Sequence, residues 1–290
     1  MTASSTPHIR CFFASDLHGD PRRYRELFAA IERERPAAVF LGGDLLPHHW
    51  SAQLDHGDFV EDVLVGGTRR LGEALGDDFP QVFLILGNDD ERQAEDRFLE
   101  GDAEGLWTYL HGREAEIAEH PVFGYAHVPP TPFQLKDWER YDVSRFVDPG
   151  SVSPERGRRT VPVDPDEIRY GTIVADLETL TGGRDLERAV MLFHSPPYQT
   201  VLDRAGLDGR MVDHVPLDVH VGSIAILRFI EDRKPMLTLH GHIHESTRLT
   251  GEWRQRVGST WCINGSHDGP ELALVRFDLA DLDGATRELI

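Results

Sequence analysis

Two short stretches of the chain carry metal-capable side chains at a spacing of two residues. Asp16 and His18 form one pair, and His242 and His244 form the other. On extended backbone, side chains two positions apart project to the same side, so each pair can reach a single ion. Carboxylates and imidazoles both bind divalent transition metals. The two pairs therefore predict metal binding, although this spacing alone is not specific.

Three further residues are of types that complete a metal site. Asp44 follows two glycines, at a sharp turn of the backbone from which its carboxylate can bridge two cations. Asn88 offers a neutral amide oxygen, which adds a ligand without adding charge. His194 adds another imidazole. Any one of these residues alone is more often a turn, capping or hydrogen-bonded residue than a metal ligand, so only the whole set favours a metal site.

The elements that precede these five fragments explain how the fragments can meet. Apolar runs typical of buried strands end at each fragment, and they cover residues 8–14, 37–41, 81–86, 190–193 and 236–239. Amphipathic helices are predicted from Pro21, within residues 58–75 and over residues 222–232. Alternating strands and helices imply parallel pairing, in which ligands bind beyond the carboxyl ends of the strands. After residue 246, short apolar segments broken by glycines predict antiparallel strands that close the fold.

The order of the fragments resembles the pattern of the calcineurin-like metallophosphoesterase family. The sequence reads D-L-H at 16–18, G-G-D at 42–44, G-N-D at 87–89, H at 194 and G-H-I-H at 241–244. The family pattern is D-x-H, G-D, G-N-H, a later H and G-H-x-H, so four of the five blocks match. Segments 194–198, 221–223 and 241–246 are also similar to an uncharacterised prokaryotic subgroup. The resemblance implies an α/β (α+β) fold in four layers, αββα, with two packed mixed β-sheets flanked by helices in one domain over residues 1–290.

The resemblance also implies a hydrolase with a dinuclear metal centre. One ion would be bound by Asp16, His18 and His244, the other by Asn88, His194 and His242, and both by a bridging Asp44. The residues predicted to act in catalysis are Asp44, Asn88, Asp89 and His194. Two cations about 3.5 to 4 Å apart activate water for in-line attack and neutralise the phosphate oxygens. Mixed imidazole and carboxylate ligands favour Mn, with Fe or Zn as alternatives, over Mg.

The third block departs from the family pattern, because Asp89 stands where the family has a histidine. The resemblance implies that this histidine contacts the phosphate and helps to protonate the leaving group. An aspartate near two cations is held ionised and repels an anionic substrate. A phosphodiester carries one negative charge instead of nearly two, so the sequence favours a phosphodiesterase that acts on a small nucleotide-like or cyclic diester. An equally favoured alternative is that Asp89, next to Asp90 and Glu91, caps the following helix.

Other functions stay open at this point. The same site can serve a nucleotide-type pyrophosphatase or a phosphomonoesterase, and the same fold can serve a non-catalytic metal-binding interaction module. The intact set of ligands favours an enzyme over the module. His48 and His49 follow Asp44 and are candidates for contacts with the ligands or the substrate, although a surface role is favoured. Roles outside the site are predicted for His127, His214, His220 and His267.

Composition narrows the class of partner. The formal net charge of −20 disfavours a nucleic-acid polymer and favours a small phosphate-ester substrate. Apolar residues make up 40% of the chain without a run long enough for a membrane span, and two distant cysteines are typical of a reducing cytoplasm. Many prolines lie between about residues 120 and 166. They predict an irregular excursion that either lines the substrate pocket or packs on the surface.

Overall fold

The computed structural model of the protein describes residues 8–48 and 58–290. Within these ranges the strands are β1 (Arg10–Ala14), β2 (Ala38–Gly42), β3 (Gln81–Ile85), β4 (Thr108–Tyr109), β5 (Arg113–Ile117), β6 (His120–Tyr125), β7 (Val190–Phe193), β8 (Met211–Val212), β9 (Val215–Pro216), β10 (Leu237–His240), β11 (Arg254–Val257), β12 (Thr260–Asn264), β13 (Ala273–Asp278) and β14 (Asp281–Leu289). The α-helices are α1 (Pro21–Glu34), α2 (Gly66–Leu75), α3 (Glu95–Ala103), α4 (Pro165–Tyr170), α5 (Ile173–Thr181), α6 (Ile224–Arg233) and α7 (Ser246–Thr250).

The long strands form two mixed sheets. The first sheet has the order β14-β13-β1-β2-β3-β4, and the second has the order β11-β12-β10-β7-β6-β5. In the first sheet β1 to β4 are parallel, and β13 lies antiparallel to β1. In the second sheet β6, β7, β10 and β12 are parallel, and antiparallel β5 and β11 form the edges. The parallel register brings the carboxyl ends of neighbouring strands to one edge of each sheet.

The alternation of side chains along the strands shows how the layers pack. On β7, Val190 and Leu192 belong to the core that includes the facing strands of the first sheet. Met191 and Phe193, which point the other way, belong to a second core with α5 and α6. Helix α1 buries Tyr24 against the outer face of the first sheet. The predicted αββα arrangement is thereby confirmed.

Helix α1 follows directly from the loop that carries the first metal-capable pair. Asp20 caps the helix by accepting a hydrogen bond from the Arg22 backbone N–H, and Pro21 occupies the first turn, where no N–H is needed. The helix ends at Arg35, which has a positive φ of 47° and donates its N–H to Ile31 O over 2.8 Å. The cap at Asp20 fixes where the chain leaves the preceding loop.

The structure contains strands that the sequence did not predict. Strand β6 lies inside the segment expected to be irregular, yet it pairs with both β5 and β7. Pro121, its second residue, and the many prolines that follow conceal the strand pattern, because proline is rare inside sheets. The closing strands are confirmed, but they divide between the sheets: β11 and β12 complete the second, and β13 and β14 the first.

The remainder of the proline-rich excursion contains a buried ion pair. Lys136 and Glu139 are both enclosed and form an ion pair with each other. Glu139 also accepts the Thr131 N–H over 2.7 Å, and Lys136 donates to Thr131 O over 3.0 Å. A buried pair with these additional hydrogen bonds holds a loop in one conformation.

No helix in the described parts of the chain is both long and apolar enough to cross a membrane.

Candidate metal centre

The loops that follow β1 and β2 are joined backbone to backbone. The Asp16 N–H donates to Gly43 O over 2.9 Å, and the His18 N–H donates to Asp44 O over 2.8 Å. These bonds continue the parallel pairing beyond the ends of the strands. They place the carboxylates of Asp16 and Asp44 next to each other.

The loops that follow β7 and β10 are joined in the same way and then connected to the first sheet. The Gly241 N–H donates to His194 O over 2.9 Å. The next residue, His242, donates its N–H to the Asp16 carboxylate, with 3.0 Å to Oδ1. The ligand-bearing edges of the two sheets therefore meet, as the sequence predicted.

A first cluster of metal-capable atoms contains two carboxylates and two imidazoles. One ligand atom each from Asp16, His18, Asp44 and His244 lies within 4.8 Å of all the others. The Nε2 atoms of His18 and His244 are 3.0 Å apart, and His244 Nε2 is 3.1 Å from Asp16 Oδ1. Two imidazole nitrogens that converge on a carboxylate can hold a divalent cation.

A second cluster contains Asp44, His194 and His242. His194 Nε2 lies 3.3 Å from Asp44 Oδ2 and 3.1 Å from Asn88 Oδ1. The opposite ring nitrogen, Nδ1, donates to Gly42 O over 2.7 Å and so fixes the orientation of the ring. His242 Nδ1 is buried without a hydrogen-bond partner, which is expected of an atom that ligates a cation.

Asp44 is the residue that both clusters share. Its side chain is buried, and its Oδ1 atom accepts the Asp89 N–H over 2.8 Å while Oδ2 faces His194. A carboxylate has two oxygens and can therefore contact two cations at once. The donor set of carboxylates, imidazoles and one amide fits two ions of the Mn, Fe or Zn type.

Electrostatics within the site divides the four histidines into two kinds. Burial opposes the charged form of His194, but Asp44 and Asp16 outweigh this effect and raise its pKa to about 10. Burial likewise opposes protonation of His244, whose bond to Asp16 raises its pKa to about 9. Burial lowers the pKa of His18, and it lowers the pKa of His242 to about 3. Two imidazoles are thus neutral at pH 7, and two must release a proton before they bind a cation.

The backbone at the site differs from the extended conformation that the sequence predicted. Asp16, His18 and Asp44 have φ angles of 58°, 47° and 51°, and His242 has a φ of 71°. These residues lie in the left-handed region, which costs non-glycine residues on the order of 1 kcal/mol each. Asp16 and His18 reach a common cluster through these turns, whereas His242 and His244 lie in different clusters. The prediction that each pair projects its two side chains to one side of an extended backbone was therefore wrong.

Asp89, which replaces the histidine of the family pattern, lies beside both clusters. It does not cap a helix: α3 begins after Ala94 and has no side-chain cap, so that alternative was wrong. Its Oδ2 atom is 3.9 Å from His18 Nδ1 and 3.6 Å from His48 Nδ1. Burial and the charge of Asp44 raise the pKa of Asp89 to about 8, an effect that bound cations would oppose. His49, the neighbour of His48, lies outside the described residues.

Asp90 has a structural role that the sequence did not reveal. Its carboxylate accepts the backbone N–H groups of Leu45, Leu46 and Gly87 at 2.8 to 3.1 Å. It therefore ties the loop after Asp44 to the loop that carries Asn88. Only its position next to the third block could have indicated this role.

The other histidines that were predicted to lie outside the site contribute to neither cluster in the described structure. His127 is buried against the ring of Trp138. His220 and His267 each contact a carboxylate, and His214 lies in the turn between β8 and β9.

Comparison with known proteins supports the fold and the class of site. The model of the calcineurin-like phosphoesterase family matches residues 9–246. Among solved structures, the protein TT1561 of Thermus thermophilus superimposes with a TM-score of 0.57 at 16% identity, over 98% of this chain and 99% of that one. A dimetal phosphatase from Danio rerio superimposes with a TM-score of 0.53 at 14% identity, over 93% and 92% of the two chains.

A curated relative matches over a shorter stretch. The uncharacterized protein MJ1162 of Methanocaldococcus jannaschii is 33% identical over 85 residues, which are 29% of this chain. The alignment spans 33% of the length of that relative. The family match covers far more than half of the chain and includes every residue of the two clusters. The chain therefore belongs to the calcineurin-like phosphoesterase family.

Proposed function

We propose that the protein is a phosphodiesterase that hydrolyses a small nucleotide-like or cyclic diester with the help of two divalent cations. One cation would be bound by Asp16, His18 and His244, the other by Asn88, His194 and His242, and both by Asp44. The observation that carries the proposal is the position of Asp44, because its buried carboxylate belongs to both clusters. When bound, the cations supply an activated water and neutralise the phosphate oxygens.

The protein contributes the orientation of the ligands. Asp44 is fixed by the Asp89 N–H, and His194 is fixed by Gly42 O, so the Nε2 atom of His194 faces Asp44 and Asn88. Because the ligand set mixes imidazoles with carboxylates and one amide oxygen, Mn is the ion we propose, with Fe or Zn as the alternatives.

The preference for a diester follows from the charges around the site. Burial has the largest effect on the pKa values of Asp16, Asp44 and Asp89. The groups with the next largest effects are histidines and other carboxylates. The charge of a substrate must therefore be neutralised by the cations, and the carboxylate of Asp89 adds repulsion. A diester with a single negative charge needs less neutralisation than a monoester with nearly two.

The test compares an aryl phosphodiester with the corresponding aryl phosphomonoester in the presence of Mn. The wild-type protein should show the higher kcat/KM for the diester, and Asp89→His should shift the ratio towards the monoester. Asp96→His, at an exposed position of α3, is the matched control and should leave the ratio unchanged.

Three results would contradict the proposal. Faster monoester hydrolysis by the wild-type protein would indicate a phosphomonoesterase. Cleavage of pyrophosphate bonds alone would indicate a pyrophosphatase. Phosphorus NMR of the products detects this cleavage. Binding of two cations without cleavage of any ester in a broad panel would indicate a non-catalytic module.

A further inference from the structure

Asp89 contacts residues that belong to both proposed cation sites. Its backbone N–H donates to Asp44 Oδ1 over 2.8 Å. One carboxylate oxygen, Oδ1, accepts from Asn88 Nδ2 over 3.0 Å. The other, Oδ2, faces the Nδ1 atoms of His18 and His48 at 3.9 and 3.6 Å. The carboxylate therefore lies between one proposed ligand of each cation.

The contact with Asn88 determines which end of the amide faces the cation. An amide has an oxygen that can bind a cation and an NH₂ group that cannot, and the two ends have nearly the same shape. Because Asp89 accepts from Nδ2, the oxygen of Asn88 points towards His194 Nε2, 3.1 Å away. Without an acceptor at position 89, this contact would no longer hold the Asn88 oxygen towards the proposed cation.

The Asp89 carboxylate also lies near an imidazole, that of His18, at a distance longer than a hydrogen bond. His18 Nδ1 is buried without a hydrogen-bond partner, and the Asp89 carboxylate faces it from 3.9 Å. A carboxylate near Nδ1 favours the tautomer that has its proton there. The lone pair is then on Nε2, which is the atom that faces His244 in the first cluster.

A histidine at position 89 could not perform both tasks. A neutral imidazole has one donor and one acceptor nitrogen, whereas a carboxylate has two oxygens that only accept. His48 lies on the same side of the site, with its ring stacked on His18 at a centroid distance of 4.7 Å. It gives Asp89 a further neighbour, but it belongs to neither of the two proposed ligand sets.

We propose that Asp89 is a positioning residue for the metal centre, which orients Asn88 for one cation and His18 for the other. This inference rests on the proposed function, because it requires the two cation sites. Outer carboxylates that orient metal ligands typically contribute about 10- to 100-fold to metal affinity. Removing this carboxylate should therefore weaken both sites, and not only the one nearest in sequence.

The experiment measures Mn binding to the full-length protein by equilibrium dialysis and by the paramagnetic resonance of free Mn. Asp89→Asn keeps the shape of the side chain but leaves only one accepting oxygen. We expect both dissociation constants to rise by about 10- to 100-fold. The matched control Asp96→Asn removes an exposed carboxylate on α3 and should leave both constants unchanged.

A second variant separates orientation of the ligands from a direct role of His48. His48→Ala should weaken Mn binding much less than Asp89→Asn does. If it weakens binding as much as Asp89→Asn does, His48 and Asp89 hold a cation themselves and the inference is wrong. Unchanged Mn affinity in Asp89→Asn, with altered KM or kcat, would also overturn it and assign Asp89 to the substrate.

The two proposals fail in different ways. If the wild-type protein binds two ions of none of Mn, Fe and Zn, the proposed function is wrong. If the wild-type protein binds two and Asp89→Asn binds them equally well, only the role of Asp89 is wrong.

Discussion

Among the individual residues, Asp44 is the one that the two proposed cation sites share. It is buried, it belongs to both clusters, and its ionised form is strongly favoured: although burial raises its pKa, His194 and His18 outweigh burial and lower it. A cation at either site would add to this stabilisation of the charge. Neither site keeps its full set of ligands when this side chain is removed.

We therefore expect Asp44→Ala to abolish hydrolysis and to lower the affinity for both ions together. The loss of affinity should exceed about 100-fold, since outer partners of metal ligands alone account for about 10- to 100-fold. Metal content after dialysis and the rate of diester hydrolysis measure the two effects. Retention of two ions per chain in this variant would show that Asp44 does not bridge them.

The protonation of His194 and His244 makes metal binding depend on pH. Their pKa values are raised to about 10 and about 9, so both rings are in the imidazolium form at pH 7. A cation must displace the second proton of each ring. Raising the pH removes this competition, and the apparent affinity should increase by about tenfold per pH unit for each proton released. Titration calorimetry in buffers with different ionisation enthalpies counts these protons. An affinity for Mn that stays constant between about pH 6 and pH 8 would contradict the assignment.

At the scale of the element, the site depends on turns that leave no space for a side chain. A Cβ atom at Gly87 would lie 2.2 Å from Asp44 Oδ1 and 2.5 Å from Asp44 N. At Gly43, with a φ of 94°, a Cβ atom would lie 2.7 Å from His194 Nδ1. The glycines after β2 and β3 allow the carboxylate and the imidazole to approach the backbone.

Gly87→Ala should displace the Asp44 carboxylate and weaken metal binding, at a cost of about 1 to 3 kcal/mol in the free energy of unfolding. The matched control is Gly72→Ala in α2, where a Cβ atom meets nothing within 4 Å. That variant should bind metal normally and gain roughly 0.5 to 1 kcal/mol in stability, because alanine is the better helix former. Metal dialysis and thermal unfolding distinguish the two. Normal metal binding by Gly87→Ala would show that the turn tolerates a side chain.

The elements that carry ligands could be predicted from the sequence because each combines a buried strand with an abrupt polar end. The strands before Asp16, Asp44, Asn88 and His194 all lie within one residue or two of the predicted bounds. Two other features could not be predicted. Strand β6 is concealed by Pro121, and the left-handed turns at the site are imposed by tertiary hydrogen bonds rather than by local preference. The role of Asp90 depends on a loop 45 residues away, so no local pattern indicates it.

In the whole molecule, the proposed metal centre lies where the two sheets meet. The first sheet presents Asp16, Asp44 and Asn88, and the second presents His194 and His242. The bond from the His242 N–H to the Asp16 carboxylate crosses between them. Packing of the two sheets therefore creates the site. The chain has a net charge of −20, and we propose that bound cations would reverse the local potential for an anionic substrate.

We propose that seven side chains from both sheets hold two cations around one shared carboxylate. The most direct test is the metal content of the wild-type protein after equilibrium dialysis against Mn, determined by elemental analysis relative to protein concentration. We expect two ions per chain at saturation. A stoichiometry of one or less, with Mn, Fe and Zn alike, would contradict it.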